Sequence, residues 1–327
     1  MLAIEVKDLT KRFNGFTAVN DVSFEINNRE IFGLLGPNGA GKTTTISMLS
    51  TILKPSLGTV IVNGWDIANK EDEVRKSIGI VFQDPSLDEE LTAYENMDFH
   101  GRLYRIPKDI RHKRSIKLLK FVELEDRKNE AVKTFSGGMK RRLEIARGLL
   151  HEPKVLLLDE PSLGLDPQTR NHLWGYIEKL SKKKGITIIL TTHYMEEADK
   201  LCDKVAIIDK GKIIALDTPQ KLKDGLGGDV ITIRSSDSDE LYRQIKAPWV
   251  KNVEKHDGFV TINLENAEKH IAEIVNISNR NKLDINSISL HKPTLEDVFL
   301  HFTGRTIREQ EADTKGNMRM HNRLRRL

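Results

Sequence analysis

Gly36-Pro37-Asn38-Gly39-Ala40-Gly41-Lys42-Thr43 fits the pattern G-x-x-x-x-G-K-[ST]. The apolar run Ile31–Leu35 leads into it as a buried strand, and Thr44–Leu53 follows with helical spacing. Glycines let backbone N–H groups curl around phosphates where a Cβ would collide. The N-terminus of the following helix adds partial positive charge. Lys42 is then placed to reach β- and γ-phosphates, and the Thr43 hydroxyl to ligate Mg²⁺. A structural turn has no need of eight matching positions between strand and helix. The stretch therefore reads as a nucleoside triphosphate site.

Working outward, Val155–Leu158 is another continuous apolar run and ends in Asp159-Glu160. In a parallel sheet, residues at the carboxyl ends of core strands meet the ligand crevice. Asp159 can hold a water on Mg²⁺, and Glu160 can orient or deprotonate an attacking water. Gln83 follows Ile78–Phe82, and His193 follows Ile186–Thr192. Alone, each would be an ordinary polar residue leaving a sheet. The same crevice rule places both beside Asp159, Gln83 toward the metal and His193 toward the γ-phosphate.

Residues 1–225 alternate strand-like and helical runs, as a mainly parallel α/β sheet requires. Within them, Leu91–Leu124 lacks a buried strand, so a helical subdomain is expected over about 87–150. Gly225, Gly227 and Gly228 mark a hinge. Beyond it, Val230–Ile233, Phe259–Leu264 and Ile285–Leu290 read as strands. Ala267, Ile271, Ile274, Val275 and Ser278 form one face of a helix. A small α+β domain over 229–303 and a basic, disordered tail over 304–327 complete the layout. The tail holds Arg319, Arg323, Arg325 and Arg326.

With 327 residues, 38% hydrophobic and 31% charged, the composition is that of an ordinary soluble protein. No apolar run approaches the ~18 residues that span a bilayer, so any membrane path must come from another polypeptide. Met1–Lys7 lacks a secretory layout. Cys202 is the only cysteine, which excludes an intrachain disulfide and a cysteine metal cluster. A reducing cytosol is expected. A net charge of +4 does not point to nucleic acid.

Phe135-Ser136-Gly137-Gly138-Met139 opens a further helix, to about Leu150, and makes a second anion site at its N-terminus. A chain with one triphosphate loop needs such a surplus only if it caps the γ-phosphate held by another copy. The ordered set of loop 36–43, Gln83, Ser136-Gly137-Gly138, Val155–Glu160, Ser162-Leu163-Gly164-Leu165-Asp166 and His193 closely resembles the ATP-binding subunits of ABC transporters, over about residues 3–220. Lys292-Pro293-Thr294-Leu295-Glu296-Asp297-Val298-Phe299-Leu300 and Arg102–Pro107 are similar to the daunorubicin-resistance type of these subunits.

The resemblance implies a P-loop fold of the ABC ATPase type, a head-to-tail homodimer, and ATP with Mg²⁺ as ligands. It implies nucleotide contacts from Phe13, Gly36, Pro37, Asn38, Gly39, Ala40, Gly41, Lys42, Thr43, Thr44, Ser136, Gly137, Gly138 and Asp166. Metal contacts would come from Thr43, Gln83 and Asp159, and the hydrolytic roles fall to Glu160, His193 and Gln83. The implied partner is an integral membrane permease of the ABC-2 type, with this chain peripheral on the inner face of the membrane and serving export of a drug, lipid or polysaccharide. Phe13 stands where the family usually has tyrosine, and Phe135 where it usually has leucine. Two rival readings are weaker. A GTPase would use Asn281-Lys282-Leu283-Asp284, which precedes a strand it should follow. A non-transporter ABC ATPase acting on ribosomes or nucleic acid would carry paired cassettes or long insertions, and this chain has neither. Nothing in 229–303 gathers polar residues for a regulatory ligand.

Overall fold

The computed structural model describes residues 2–305, which divide into two compact units after Leu216. The expected tail, apart from Gly304 and Arg305, lies outside the described residues. The division precedes the three glycines read as a hinge. Those residues lie inside the second unit, between the helix Pro219–Asp224 and the strand Asp229–Ser235.

The first unit is built on a six-stranded sheet in the order Lys212–Asp217, Lys204–Asp209, Ile31–Leu35, Thr187–Thr192, Val155–Asp159, Ile78–Val81. The last five run parallel. Every residue of Ile31–Leu35, Val155–Asp159 and Thr187–Thr192 is buried, which is why Ile31–Leu35, Val155–Leu158 and Ile188–Leu190 carry no charged or polar side chain. Parallel pairing also sends their carboxyl ends to one edge, where Gly36, Glu160 and His193 emerge.

A second, antiparallel sheet orders Phe16–Asn27, Leu2–Phe13, Leu57–Val62 and Trp65–Asp66. Its inward residues Ile4, Leu9, Val22 and Ile26 share a core with Phe32, Leu34 and Leu157 of the parallel sheet. The Phe24 and Phe32 rings stack at 5.1 Å. Three helices, Ala93–Leu103, Lys108–Phe121 and Gly137–Gly148, pack together as the insert. The first starts on a capping box in which Thr92 and Glu95 satisfy each other's backbone N–H.

The second unit has a four-stranded antiparallel sheet in the order Val250–His256, Phe259–Leu264, Asp229–Ser235, Ile285–His291. Ile231, Ile233, Val260 and Ile262 of the sheet bury against Leu241, Ala267 and Ile274. Of the face assigned to one helix, Ala267 falls in a short 3-10 turn, and the helix proper is Ile271–Arg280. The stretch Lys292–Leu300 supplies the capping box of Thr294 and Asp297 and most of the helix Leu295–Thr303, which packs on Pro219–Asp224.

Candidate functional site

The loop after Ile31–Leu35 takes a path that side chains would block. A Cβ on Gly36 would lie 2.2 Å from the Ile208 carbonyl oxygen, and one on Gly41 would lie 2.5 Å from that of Ala18. Gly41 also has φ +105°, a left-handed backbone that suits glycine. The helix Lys42–Leu49 follows with no side-chain cap on its N-terminal N–H groups. Its uncapped donors and dipole face the loop, the arrangement that attracts phosphate.

Lys42 is 4% exposed and Glu160 5%. The Lys42 ammonium donates to the carbonyl oxygens of Gly36 at 2.8 Å and Pro37 at 3.1 Å, and it pairs with Glu160 Oε1 at 3.1 Å. Glu160 Oε2 accepts from His193 Nδ1 at 2.9 Å. Burial, the largest influence, pushes the Glu160 carboxyl up. The His193 hydrogen bond and the Lys42 charge together outweigh it and hold the group below the usual carboxylate range. Glu160 is therefore ionised at neutral pH, the state in which a carboxylate can accept a proton. Asp159 accepts from Thr43 Oγ1 at 3.2 Å and from Thr191 Oγ1 at 2.5 Å, and Thr191 Oγ1 in turn accepts the Glu160 N–H at 2.9 Å.

Lys42, Thr43 and Glu160 open on a cleft of about 500 Å³, lined also by Phe13, Asn38, Gly39, Gly41, Thr44 and Gln83, with Phe16, Ala18 and Leu163; Asp159 and His193 do not line it and reach it through Thr43 and Glu160. Ala40 fixes the loop internally, its N–H bonded to the Pro37 oxygen at 3.2 Å. Thr43 and Gln83 on the cleft wall, with Asp159 bonded to the Thr43 hydroxyl behind it, bring oxygen atoms of the kind that suits a hard cation such as Mg²⁺. Among the described residues no group of three or more His, Cys, Asp or Glu gathers to hold a metal. Such an ion would take most of its ligands from phosphates and water.

Phe13 ends its strand 41% exposed on the cleft wall, with Lys11 Nζ 5.1 Å from its ring centroid. Phe16, beyond the Asn14-Gly15 turn, shares that wall and was not foreseen. Phe13→Ala is expected to weaken ATP binding about 2- to 12-fold, the worth of one aromatic stack, with Phe13→Tyr near wild type. Titration of a fluorescent ATP analogue checks this. A silent Phe13→Ala beside a weakened Phe16→Ala would move the base to Phe16.

Ser136, Gly137, Gly138 and Asp166 do not line this cleft. Ser136 caps the helix Gly137–Gly148, its hydroxyl accepting the Met139 N–H at 3.3 Å. Gly138 lies against Thr169, whose Cγ2 a Cβ would approach to 2.2 Å. It borders a separate hollow with Arg142, Gln168, Thr169, His172 and Leu173. Asp166 caps the helix Pro167–Lys184. It accepts Thr169 N–H at 3.0 Å and Thr169 Oγ1 at 2.6 Å, and these bonds hold its carboxyl below the usual range. Phe135 is buried, so the position serves packing. Two further residues escaped the sequence reading. Thr191 fastens Asp159 to Glu160, and Arg141, in the Ser-Gly-Gly helix, bonds both of their carbonyl oxygens.

Residues 19–163 match the ABC transporter family, and residues 218–303 match the C-terminal domain of ATP-binding proteins that are DrrA1-3-like. The chain is 38% identical over 311 residues to the linearmycin resistance ATP-binding protein LnrL of Bacillus subtilis strain 168, covering 94% of this chain and 100% of that protein. It is 38% identical over 307 residues to the daunorubicin/doxorubicin resistance ATP-binding protein DrrA of Streptomyces peucetius, covering 92% of each. It is also similar to the solved dimeric post-hydrolysis state of the ATP-binding cassette MJ0796 bound to ADP and Pi. There the TM-score is 0.59 at 28% identity, covering 66% of this chain and 98% of that one.

Proposed function

This chain belongs to the ATP-binding proteins of ABC transporters, with a C-terminal domain of the DrrA kind, and from that premise we propose that two copies close over two ATP molecules and so drive a separate membrane permease. It is an ATP-hydrolysing subunit of an exporter. One observation carries the shared site: Ser136 and Gly137 are exposed at the helix tip, and Gly138 borders a hollow that shares no residue with the cleft holding Lys42, Thr43, Gln83 and Glu160. A second copy related by a two-fold axis supplies the missing tip to each cleft. The similar cassette bound to ADP and Pi is dimeric, which supports a pair of copies.

In this reading Lys42 and the uncapped helix N-terminus take the β- and γ-phosphates. Thr43, Asp159 and Gln83 hold Mg²⁺, which when bound neutralises phosphate charge. Glu160 removes a proton from the attacking water, and His193, bonded to Glu160, keeps that carboxylate turned into the cleft. Asp166 acts from the edge of the partner's tip, through Thr169 and Gly138. Losing the γ-phosphate removes the anion that joins the halves, so the pair opens.

No helix among the described residues is long and apolar enough to cross a membrane, so the permease, of ABC-2 type, provides the path. The chain sits on the inner face of the membrane through it. Phe99, Leu103 and Ile110 expose apolar surface on the insert, beyond Gln83 in the chain, and form the docking face. The cargo is a drug, lipid or polysaccharide. The full-length match to resistance proteins favours transport over work on ribosomes.

Mixing Lys42→Ala with Ser136→Ala chains tests the shared site. Each variant alone has two faulty sites per dimer, whereas each heterodimer regains one intact site. An equal mixture is expected to reach about a quarter of wild-type turnover. A mixture no more active than the mean of its parents would show that the sites are not shared.

A further inference from the structure

The helix Gly137–Gly148 carries the Ser-Gly-Gly tip, yet farther along it is bonded to its own chain's hydrolytic backbone. Arg141 is 6% exposed, and its guanidinium has five N–H groups, each with an acceptor. Nε donates to the Pro161 oxygen at 2.8 Å. Nη2 donates to the carbonyl oxygens of Asp159 at 2.8 Å and Glu160 at 2.9 Å. Nη1 donates to the Phe82 oxygen and to Glu144 Oε2, the latter at 3.1 Å. Glu144, 1% exposed, turns its Oε1 to the Ser86 N–H at 2.9 Å. Arg147 donates to the Ser86 oxygen at 2.6 Å and to its hydroxyl.

Positions 141, 144 and 147 are three apart and so share one helix face. That face grips the backbone on both sides of Gln83, at Phe82 and Ser86, and the carbonyls of Asp159, Glu160 and Pro161. A buried cation is costly unless paired and hydrogen-bonded throughout. Here one carboxylate balances the charge and four carbonyls take the remaining donors. Lysine, with three donors on a point charge, cannot reproduce this fork.

We propose that Arg141 is a positioning residue: it fixes the backbone bearing Gln83, Asp159 and Glu160 to the helix whose tip meets the other copy's ATP. The link to the other copy rests on the shared-site reading above, while the hold on the chain's own groups does not. The helix that meets the partner's γ-phosphate at its tip is thus the same helix that holds this chain's own Glu160 backbone in place.

Arg141→Lys is expected to keep ATP affinity within about threefold while turnover falls about 10- to 100-fold, as small misplacement of reacting groups does. Differently tagged mixed dimers locate the fault. When Arg141→Lys faces a Glu160→Gln chain, the live Glu160 lies in the Arg141→Lys chain and turnover falls by that factor. When both substitutions share one chain, the live Glu160 has its own Arg141. Turnover then stays within about threefold of a Glu160→Gln/wild-type dimer. The reverse pattern would overturn the proposal, since Arg141 would serve only the tip it carries. Equal loss in both arrangements, or no loss in either, would also count against it. If Arg141→Lys does not fold, Glu144→Gln is read in the same way. If Glu160→Gln forms no ATP-dependent dimer, the shared site fails instead. The contrast between ATP affinity and turnover in uniform Arg141→Lys then still decides for or against Arg141.

Discussion

Glu160→Gln is expected to lower ATP turnover about 10²- to 10⁴-fold, the range supplied by a general base, while leaving ATP binding in place. Glutamine keeps the volume and an oxygen facing Lys42, so the buried surroundings change little. What it loses is proton affinity. The wild-type carboxylate is ionised because the His193 bond and the Lys42 charge outweigh its burial, and an amide cannot take the water's proton. With the γ-phosphate preserved, chains should accumulate as ATP-bound dimers that elute from a sizing column at about twice the monomer mass. Phosphate release and elution volume measure the two halves separately. Unchanged turnover would remove Glu160 from the role of base.

Lys42→Ala is expected to weaken ATP binding about 100-fold or more, since it deletes the cation proposed above to meet the phosphates. It also disturbs the fold. Lys42 bridges the Gly36 and Pro37 carbonyls to Glu160, and taking one partner from a buried pair costs about 3–5 kcal/mol. The two effects separate in Lys42→Ala/Glu160→Gln. Replacing the stranded carboxylate with an amide should recover much of the melting temperature and none of the ATP affinity. A double variant that regained ATP binding would mean that Lys42 acts through Glu160 and not on phosphate.

The parallel sheet was legible because strands buried on both faces must be apolar throughout, as in Ile31–Leu35 and Val155–Leu158. The paired strands Leu2–Phe13 and Phe16–Asn27 were not. One face of each is exposed, polar residues interrupt the apolar ones, and register shifts with Asp8 and Asp21 at positive φ break the alternation. Val250–His256 hid in the same way, as an edge strand carrying Lys251, Glu254 and Lys255. Within the site, the loop, Asp159 and Glu160 carry motif spacing, and Gln83 and His193 follow strand ends. Arg141 sits between Lys140 and Arg142, three cations in a row, and only tertiary contacts choose which one is buried. Thr191 is an unremarked threonine of a strand, and nothing local distinguishes Phe16 from Phe13.

The contact between Gly138 and Thr169 bears on how freely this chain can change. A methyl at 138 would strike the Thr169 methyl, and Thr169 cannot easily swing aside while Asp166 holds both its hydroxyl and its N–H. Drift at 138 is therefore barred by a neighbour in the same protomer as well as by any phosphate. A lineage could admit a side chain there only by shrinking residue 169 in the same step.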